Sequence, residues 1–346
     1  MKALRSVLAV AVICALVLTN IIVVLAGDEQ VPVSWLQEPF SVEPINGGNL
    51  IPNGSIINHL QNGETSVISP AGKTIYKTSN SRSALVPTPY GLQRASEVYN
   101  VPSGSRIETC GETTRIFYDE ELILTIVNHR NTNLGKPEYR EEVPSYSGWL
   151  EYSEDWTVAN LDWFQAHWTV PSAPPDPGGN VVDFLFNGIE PDDGTEIIQP
   201  VLEWNNAGSG RWTIAAWSVG NQGNIRGTVR NVNEGDSLYG TMMWVWEYST
   251  WFIQITDSDT GQYSALYSNE FGESDLAVFC ALETYNINGD EDVPGDTTFH
   301  NMSLEYLYST VDITWHEVEA IPGGSNLTYL NVQVYSDSKV KLHTAN

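Results

Sequence analysis

Apolar and polar residues alternate along this chain in short runs of period two, and Gly, Pro, Asn and Asp break the runs at close intervals. Gly54-Ser55-Ile56-Ile57, Thr65-Ser66-Val67-Ile68-Ser69 and Lys73-Thr74-Ile75-Tyr76 are three such runs, separated by the turn signals Asn62-Gly63 and Ala71-Gly72. Thr114 to Tyr118 and Leu122 to Val127 repeat the pattern around a corner at Tyr118-Asp119-Glu120-Glu121. After residue 30 no long stretch carries a helical period. The pattern therefore predicts an all-β protein, a sandwich or jelly roll of two antiparallel sheets. Residues 28–145 read as a smaller β-rich leading region, closed by a Pro-bearing linker from Lys136-Pro137 to Val143-Pro144-Ser145, and residues 146–346 as the main domain. Thr328 to Leu342 reads as one closing strand.

Two runs in the main domain carry polar residues at unusual places. On the strand Ile197 to Trp204, Ile197, Gln199, Val201 and Glu203 share one face, and Ile198, Pro200, Leu202 and Trp204 share the other. The second face is wholly apolar and should pack on an opposing sheet. Pro200 forfeits a ladder donor, which predicts an edge or a bulge. On Leu276 to Tyr285, Ala277, Phe279, Ala281, Glu283 and Tyr285 line one face, and Glu283 is the one residue among them expected to carry a charge near neutral pH. A carboxyl there is costly to bury unless it is paired or protonated. Read without further context, the first strand is equally a solvated face, and Glu283 is equally a structural carboxyl bonded to a Tyr or a backbone amide.

Charge and cysteine usage narrow the setting. The net charge is -27, and removal of residues 1–27, which hold Lys2 and Arg5 but no acid, takes it to -29. So acidic a surface repels phosphate backbones and excludes nucleic acid as a partner. Lys2 and Arg5 precede an apolar run from Val7 to Ala26, which reads as a signal peptide cleaved near Ala26 or as a retained membrane anchor. Either reading makes the remainder secreted or held on the outer face of a membrane. There, Cys110 and Cys280 either pair across the two regions or Cys280 is a buried free thiol. The six His are scattered and no CxxC or HExxH occurs, so zinc has no support. Asp257-Ser258-Asp259 and the Asn286 to Asp296 segment offer oxygen ligands suited to calcium, but turn chemistry accounts for both. No metal or cofactor is expected, no Gly-x-Ser-x-Gly elbow is present, and the sequence is silent on oligomeric state.

An ordered set of motifs says more. Thr169-Val170-Pro171-Ser172-Ala173-Pro174, Asn187-Gly188-Ile189-Glu190 and Ile197-Ile198-Gln199-Pro200-Val201-Leu202-Glu203-Trp204 are followed by Glu234-Gly235-Asp236-Ser237, Thr260-Gly261-Gln262 and Ala281-Leu282-Glu283-Thr284-Tyr285. Their order and spacing resemble the secreted glutamic peptidases, the eqolisins, and more distantly the neprosin-type peptidases, which carry Glu where Gln199 stands. The resemblance implies a concanavalin-like jelly roll, a polypeptide substrate, and a catalytic pair formed by Gln199 and Glu283. Glu283 would act as general base and then general acid, and Gln199 would hold the water and donate to the oxyanion. Glu203, Trp204, Trp217 and Glu190 are the expected substrate-binding surroundings, and residues 28–145 would be a prosegment. Several supporting positions depart from the pattern: Trp212 to Trp217 lacks an acid, and Phe279 stands where an acid usually precedes the catalytic Glu. Ten of the twelve Trp fall between Trp149 and Trp251, so a carbohydrate- or surface-binding sandwich without catalysis is the alternative.

Overall fold

The computed structural model describes residues 40–42, 49–79, 84–129, 146–220, 223–320 and 326–346; the apolar run at 7–26, read as a signal peptide or anchor, and the expected linker at 136–145 lie outside the described residues. Two large sheets dominate, and no α-helix occurs among the described residues. None of the described helical turns is long and apolar enough to cross a membrane. In the first sheet an antiparallel ladder runs through Gly223–Arg226, Trp212–Gly220, Ile197–Trp204, Val182–Pro191, Ser274–Ile287, Tyr146–Asn160 and His316–Glu319. In the second it runs through Thr297–Tyr306, Trp163–Thr169, Ser237–Val245, Thr250–Asp257 and Tyr263–Ser268.

The two antiparallel sheets expected of the main domain are present, and the leading segment adds strands to both. The leading residues continue both sheets in parallel, Val98–Asn100 beside Gly223–Arg226 and Ser105–Cys110 beside Tyr263–Ser268. Every parallel pairing of described strands involves a strand before residue 129. The chain crosses from one sheet to the other between Asn100 and Ser105, so the leading and main segments share their sheets and their core. Trp35 to Asn346 accordingly forms one compact unit.

Period-two alternation explains why each strand has two distinct faces. Leu185, Ile189, Ile198 and Leu202 of the first sheet and Trp168, Met242, Ile253 and Ile255 of the second meet in the inter-sheet core. The opposite face of the first sheet carries a separate apolar cluster built from Phe184, Phe186, Val201, Ala215, Trp217, Phe279, Ala281 and Tyr285. That outer cluster is the floor of the site described below.

The structure decides several local readings. Pro200 sits in the interior of the sheet, paired with Ala216, and neither an edge nor a strand end lies there. Its missing donor is absorbed where the ladder to Val182–Pro191 lapses between Phe186↔Val201 and Ile189↔Ile198. The closing segment is a hairpin of two strands, Asn331–Ser336 and Lys339–His343, because Asp337-Ser338 turns the chain. Cys280 is a free thiol buried in the inter-sheet core, 3.4 Å from the Met302 sulfur, so it does not pair with Cys110. The loop at Asp257 spends its carboxylate on the backbone, accepting from the Asp259 and Thr260 amides at 2.9 and 3.2 Å.

The two sheets approach closely at Gly240. A Cβ there would lie 2.8 Å from the Pro200 ring, 2.8 Å from the Trp168 ring and 2.6 Å from the Asn187 amide oxygen. Gly240→Ala is therefore expected to destabilise the fold by about 1–3 kcal/mol through overpacking. A denaturant midpoint unchanged from the parent protein would show that the sheets can separate there without penalty.

Candidate active site

Gln199 and Glu283 lie on strands separated by Val182–Pro191, and both side chains project to the outer face of the first sheet. Both are fully buried. In register, Glu283 faces Phe184 on one side and Trp149 on the other, whereas Gln199 pairs with Trp217. Trp149 packs edge-on against Tyr152, Phe186 and Phe279 at 5.1, 5.6 and 5.0 Å between ring centres, which gives the floor an aromatic wall beside Glu283.

A hairpin from the leading segment covers this floor. Leu85–Thr88 pairs with Gly91–Arg94 around the two-residue turn Pro89-Tyr90. Pro89 presets φ for the first turn position, and Gly91, at φ +104°, lets the second strand leave in a conformation that a side chain would resist. The Gln199 amide Nε2 donates to the Pro89 carbonyl, and the Gly91 N–H donates to Glu283 Oε1 at 3.1 Å. The Tyr285 hydroxyl contacts Glu283 Oε1 and donates to the Thr88 carbonyl at 2.9 Å. Tyr90 bonds through its hydroxyl to the Gly194 carbonyl, and Val86 and Tyr90 pack on the outer apolar cluster. Two residues 84 positions apart thus meet the same four-residue turn, Gln199 at its carbonyl and Glu283 at its amide. Gln199 Oε1 makes no hydrogen bond among the described residues.

The expected surroundings divide into three cases. Glu203 and Trp217 share the face of Gln199, but they serve a buried ion pair. Arg226 grips Glu203 through both Nε, at 3.0 Å, and a terminal nitrogen, while the Trp217 indole and the Thr213 hydroxyl donate to the same carboxylate at 2.7 and 2.9 Å. All of its partners are in place, so Glu203 acts as an anchor for the Gln199 strand. Trp204 points to the opposite face, as strand alternation requires, and packs against Trp212 at 5.3 Å. Glu190 is buried on the floor side, opposite Ala277 and far along the strand from Phe184.

Sequence reasoning missed Arg226, Trp149 and the Thr88–Gly91 turn. Arg226 lies after the Gln199 strand and bears no motif, and the turn reads like any other hairpin. Trp149 had a usable signal, an aromatic at the start of the main domain.

Burial sets the protonation of the site. It pushes the Glu283 carboxyl up to about 8, against the downward pull of the Tyr285 hydroxyl, the Gly91 N–H and the Trp149 side chain. Glu283 has company. Burial lifts Glu151 to about 8 and Asp183 well above the ordinary range. Burial followed by the neighbouring Glu270 charge takes Glu196 to about 8, and burial takes Glu270 to about 7. Asp296 goes the other way: burial raises it, but Lys341, the Thr344 amide and His343 outweigh that.

No family model matches the chain, and no curated protein matches it. Among solved structures it is similar to scytalido-glutamic peptidase bound to a transition-state analogue, at 17% identity and a TM-score of 0.45, over 58% of this chain and all of that one. Aspergilloglutamic peptidase from Aspergillus niger is similar at 22% identity and a TM-score of 0.35, over 47% of this chain and 99% of that one. The β-glucanase of Bacillus licheniformis follows at 9% identity and a TM-score of 0.28, over 76% of this chain and 88% of that one.

Two outcomes are expected. Arg226→Met leaves the Glu203 charge buried without its partner and should lower stability by about 3–5 kcal/mol, part of which the added change Glu203→Gln restores; equal loss in single and double variants would refute the anchor. The second concerns pH. A carboxyl whose folded pKa is raised stabilises the fold below its unfolded value and loses that contribution as pH rises through the folded value. Four of the five raised carboxyls, Glu151, Glu196, Glu270 and Glu283, titrate in the fold at about 7 to 8, and Asp183 lies well above its ordinary value. The thermal midpoint should thus fall between pH 5 and pH 8, and Glu151→Gln should flatten that slope by at most about 1.4 kcal/mol per pH unit. A midpoint that rises over this range would contradict the assignment.

Proposed function

We propose that the protein is an exported endopeptidase of the glutamic type, which hydrolyses peptide bonds with Gln199 and Glu283 and an activated water. The observation that carries the reading is the grip of these two side chains on one turn, an amide N–H on a peptide carbonyl and a carboxyl on a peptide N–H two residues on. Hydrolysis must polarise a peptide carbonyl and protonate a nitrogen beside it, and this pair of side chains reaches a peptide carbonyl and the N–H of the next peptide bond along.

In the reaction the Glu283 carboxylate takes a proton from water as the water oxygen bonds to the substrate carbonyl carbon. Gln199 Nε2 donates to the oxygen that becomes the oxyanion. The Glu283 carboxylic acid then returns its proton to the nitrogen as the C–N bond breaks, which leaves a carboxylic acid and an amine. Because Gln199 is uncharged, Glu283 has no like-charged partner at this point and its titration follows its own burial. The Tyr285 hydroxyl orients the carboxyl during both transfers. The aromatic floor of Trp149, Tyr152, Phe186 and Phe279 favours substrates with bulky apolar side chains. Substrates are polypeptides and the medium is the acidic exterior, in which the buried Glu151 carboxyl remains neutral; burial is what holds Glu283 protonated, so entry of water to the site restores the carboxylate that acts as base.

The reading is tested by digestion of an unfolded protein from pH 2 to 7. Glu283→Gln is expected to lower kcat by about 10²–10⁴-fold, as for loss of a general base, and Gln199→Ala by about 10²–10³-fold, as for loss of an oxyanion donor. Cleavage that survives Glu283→Gln unchanged would sink the proposal.

A further inference from the structure

We infer that the hairpin of residues 85–94 is a built-in competitive inhibitor of this site, and that it, not the whole leading segment, is what must move for the site to work. The inference rests on the peptidase reading for its consequence, but its geometry stands on four contacts. Gln199 is bonded to the Pro89 carbonyl, Glu283 to the Gly91 N–H, Tyr285 to the Thr88 carbonyl and Tyr90 to the Gly194 carbonyl. Val86 and Tyr90 lie on the apolar floor where substrate side chains would rest.

The register of the turn makes it an inhibitor, not a substrate. With Gln199 on the Pro89 carbonyl, the bond at risk is Pro89–Tyr90, whose leaving nitrogen belongs to Tyr90. Glu283 instead engages the nitrogen of Gly91, one residue further on. The base is therefore bonded to an amide that is not the leaving group, and the turn, closed by a bond of 2.8 Å from the Thr88 hydroxyl to the Gly91 carbonyl, cannot extend to correct the offset.

The rest of the leading segment has a different task. Val98, Tyr99, Val101 and Ile107 are buried in the protein core, Val98–Asn100 extends the first sheet and Ser105–Ile107 extends the second. The Val101 N–H bonds to the carbonyl of Arg226, the residue that anchors Glu203. Stripping away everything before the main domain would unpair strands in both sheets and expose their apolar faces. The hairpin, in contrast, is self-contained. The Ala95 N–H bonds to the Ala84 carbonyl at 2.8 Å, so the chain enters and leaves the hairpin at one point. Outside that point the hairpin pairs with no other strand among the described residues.

This closure makes the test direct. In the full chain, residues 85–94 are replaced by Gly-Ser, and separately Gly91→Pro is made, which removes the N–H that Glu283 accepts and forbids φ +104°. Both variants are expected to digest an unfolded protein at least tenfold faster in kcat/KM than the parent chain, and addition of Glu283→Gln should abolish the gain. A cyclised peptide of residues 84–95 should inhibit the excised variant competitively. Should the parent and both variants cleave equally, the inhibitor is refuted and the peptidase reading stands. Should none cleave, calorimetry with the cyclised peptide decides. Binding to the excised variant that weakens at least tenfold with Gln199→Ala upholds the docking and sinks the peptidase, whereas absence of binding overturns the inhibitor.

Discussion

The seating of one β-turn on Gln199 and Glu283 organises the outer half of this molecule. The turn puts a peptide carbonyl and a peptide N–H over two polar residues that strand alternation delivers to the same face. It removes Glu283 from water, and burial is the main reason its carboxyl rises to about 8. The apolar cluster under the turn, which includes Phe184, Phe186, Trp217 and Phe279, would otherwise be a large exposed patch on a sheet face. The hairpin thus satisfies the hydrogen-bonding and hydrophobic demands of the face together.

The strands beneath are held by unlike means. The Gln199 strand is fixed by the Glu203–Arg226 pair on one side and by the contact of Pro200 with Gly240 across the core on the other. The Glu283 strand is fixed by two long neighbours, Tyr146–Asn160 and Val182–Pro191, which pair with it along most of its length. A rigid support of this kind keeps two side chains on separate strands in register with a common partner. Phe279 packs against Trp149 and Trp156, so an aromatic wall stands beside Glu283.

A surplus of acids and a set of buried neutral carboxyls are two aspects of one setting. With a net charge of -27 the surface repels itself at neutral pH. Glu151, Asp183, Glu196, Glu270 and Glu283 add a folding preference for protonated carboxyls. Self-repulsion eases and the buried carboxyls gain their protons as pH falls, so both effects favour the fold in acid.

The alternation of apolar and polar residues was enough to predict two-faced strands, to put Gln199 with Glu203 and Glu283 with Tyr285 on single faces, and to mark Asn62-Gly63 and Asp119-Glu120 as turns, because side-chain direction and turn conformation are local properties. Neighbour choice is not local. Only the folded chain decided that the leading strands join both sheets in parallel, that Pro200 lies inside a sheet and that Glu203 belongs to Arg226. The Thr88–Gly91 turn illustrates the division. Its residues announce a hairpin, but a carbonyl and an N–H look alike in every turn, and which side chains bond to them depends on strands more than a hundred residues away.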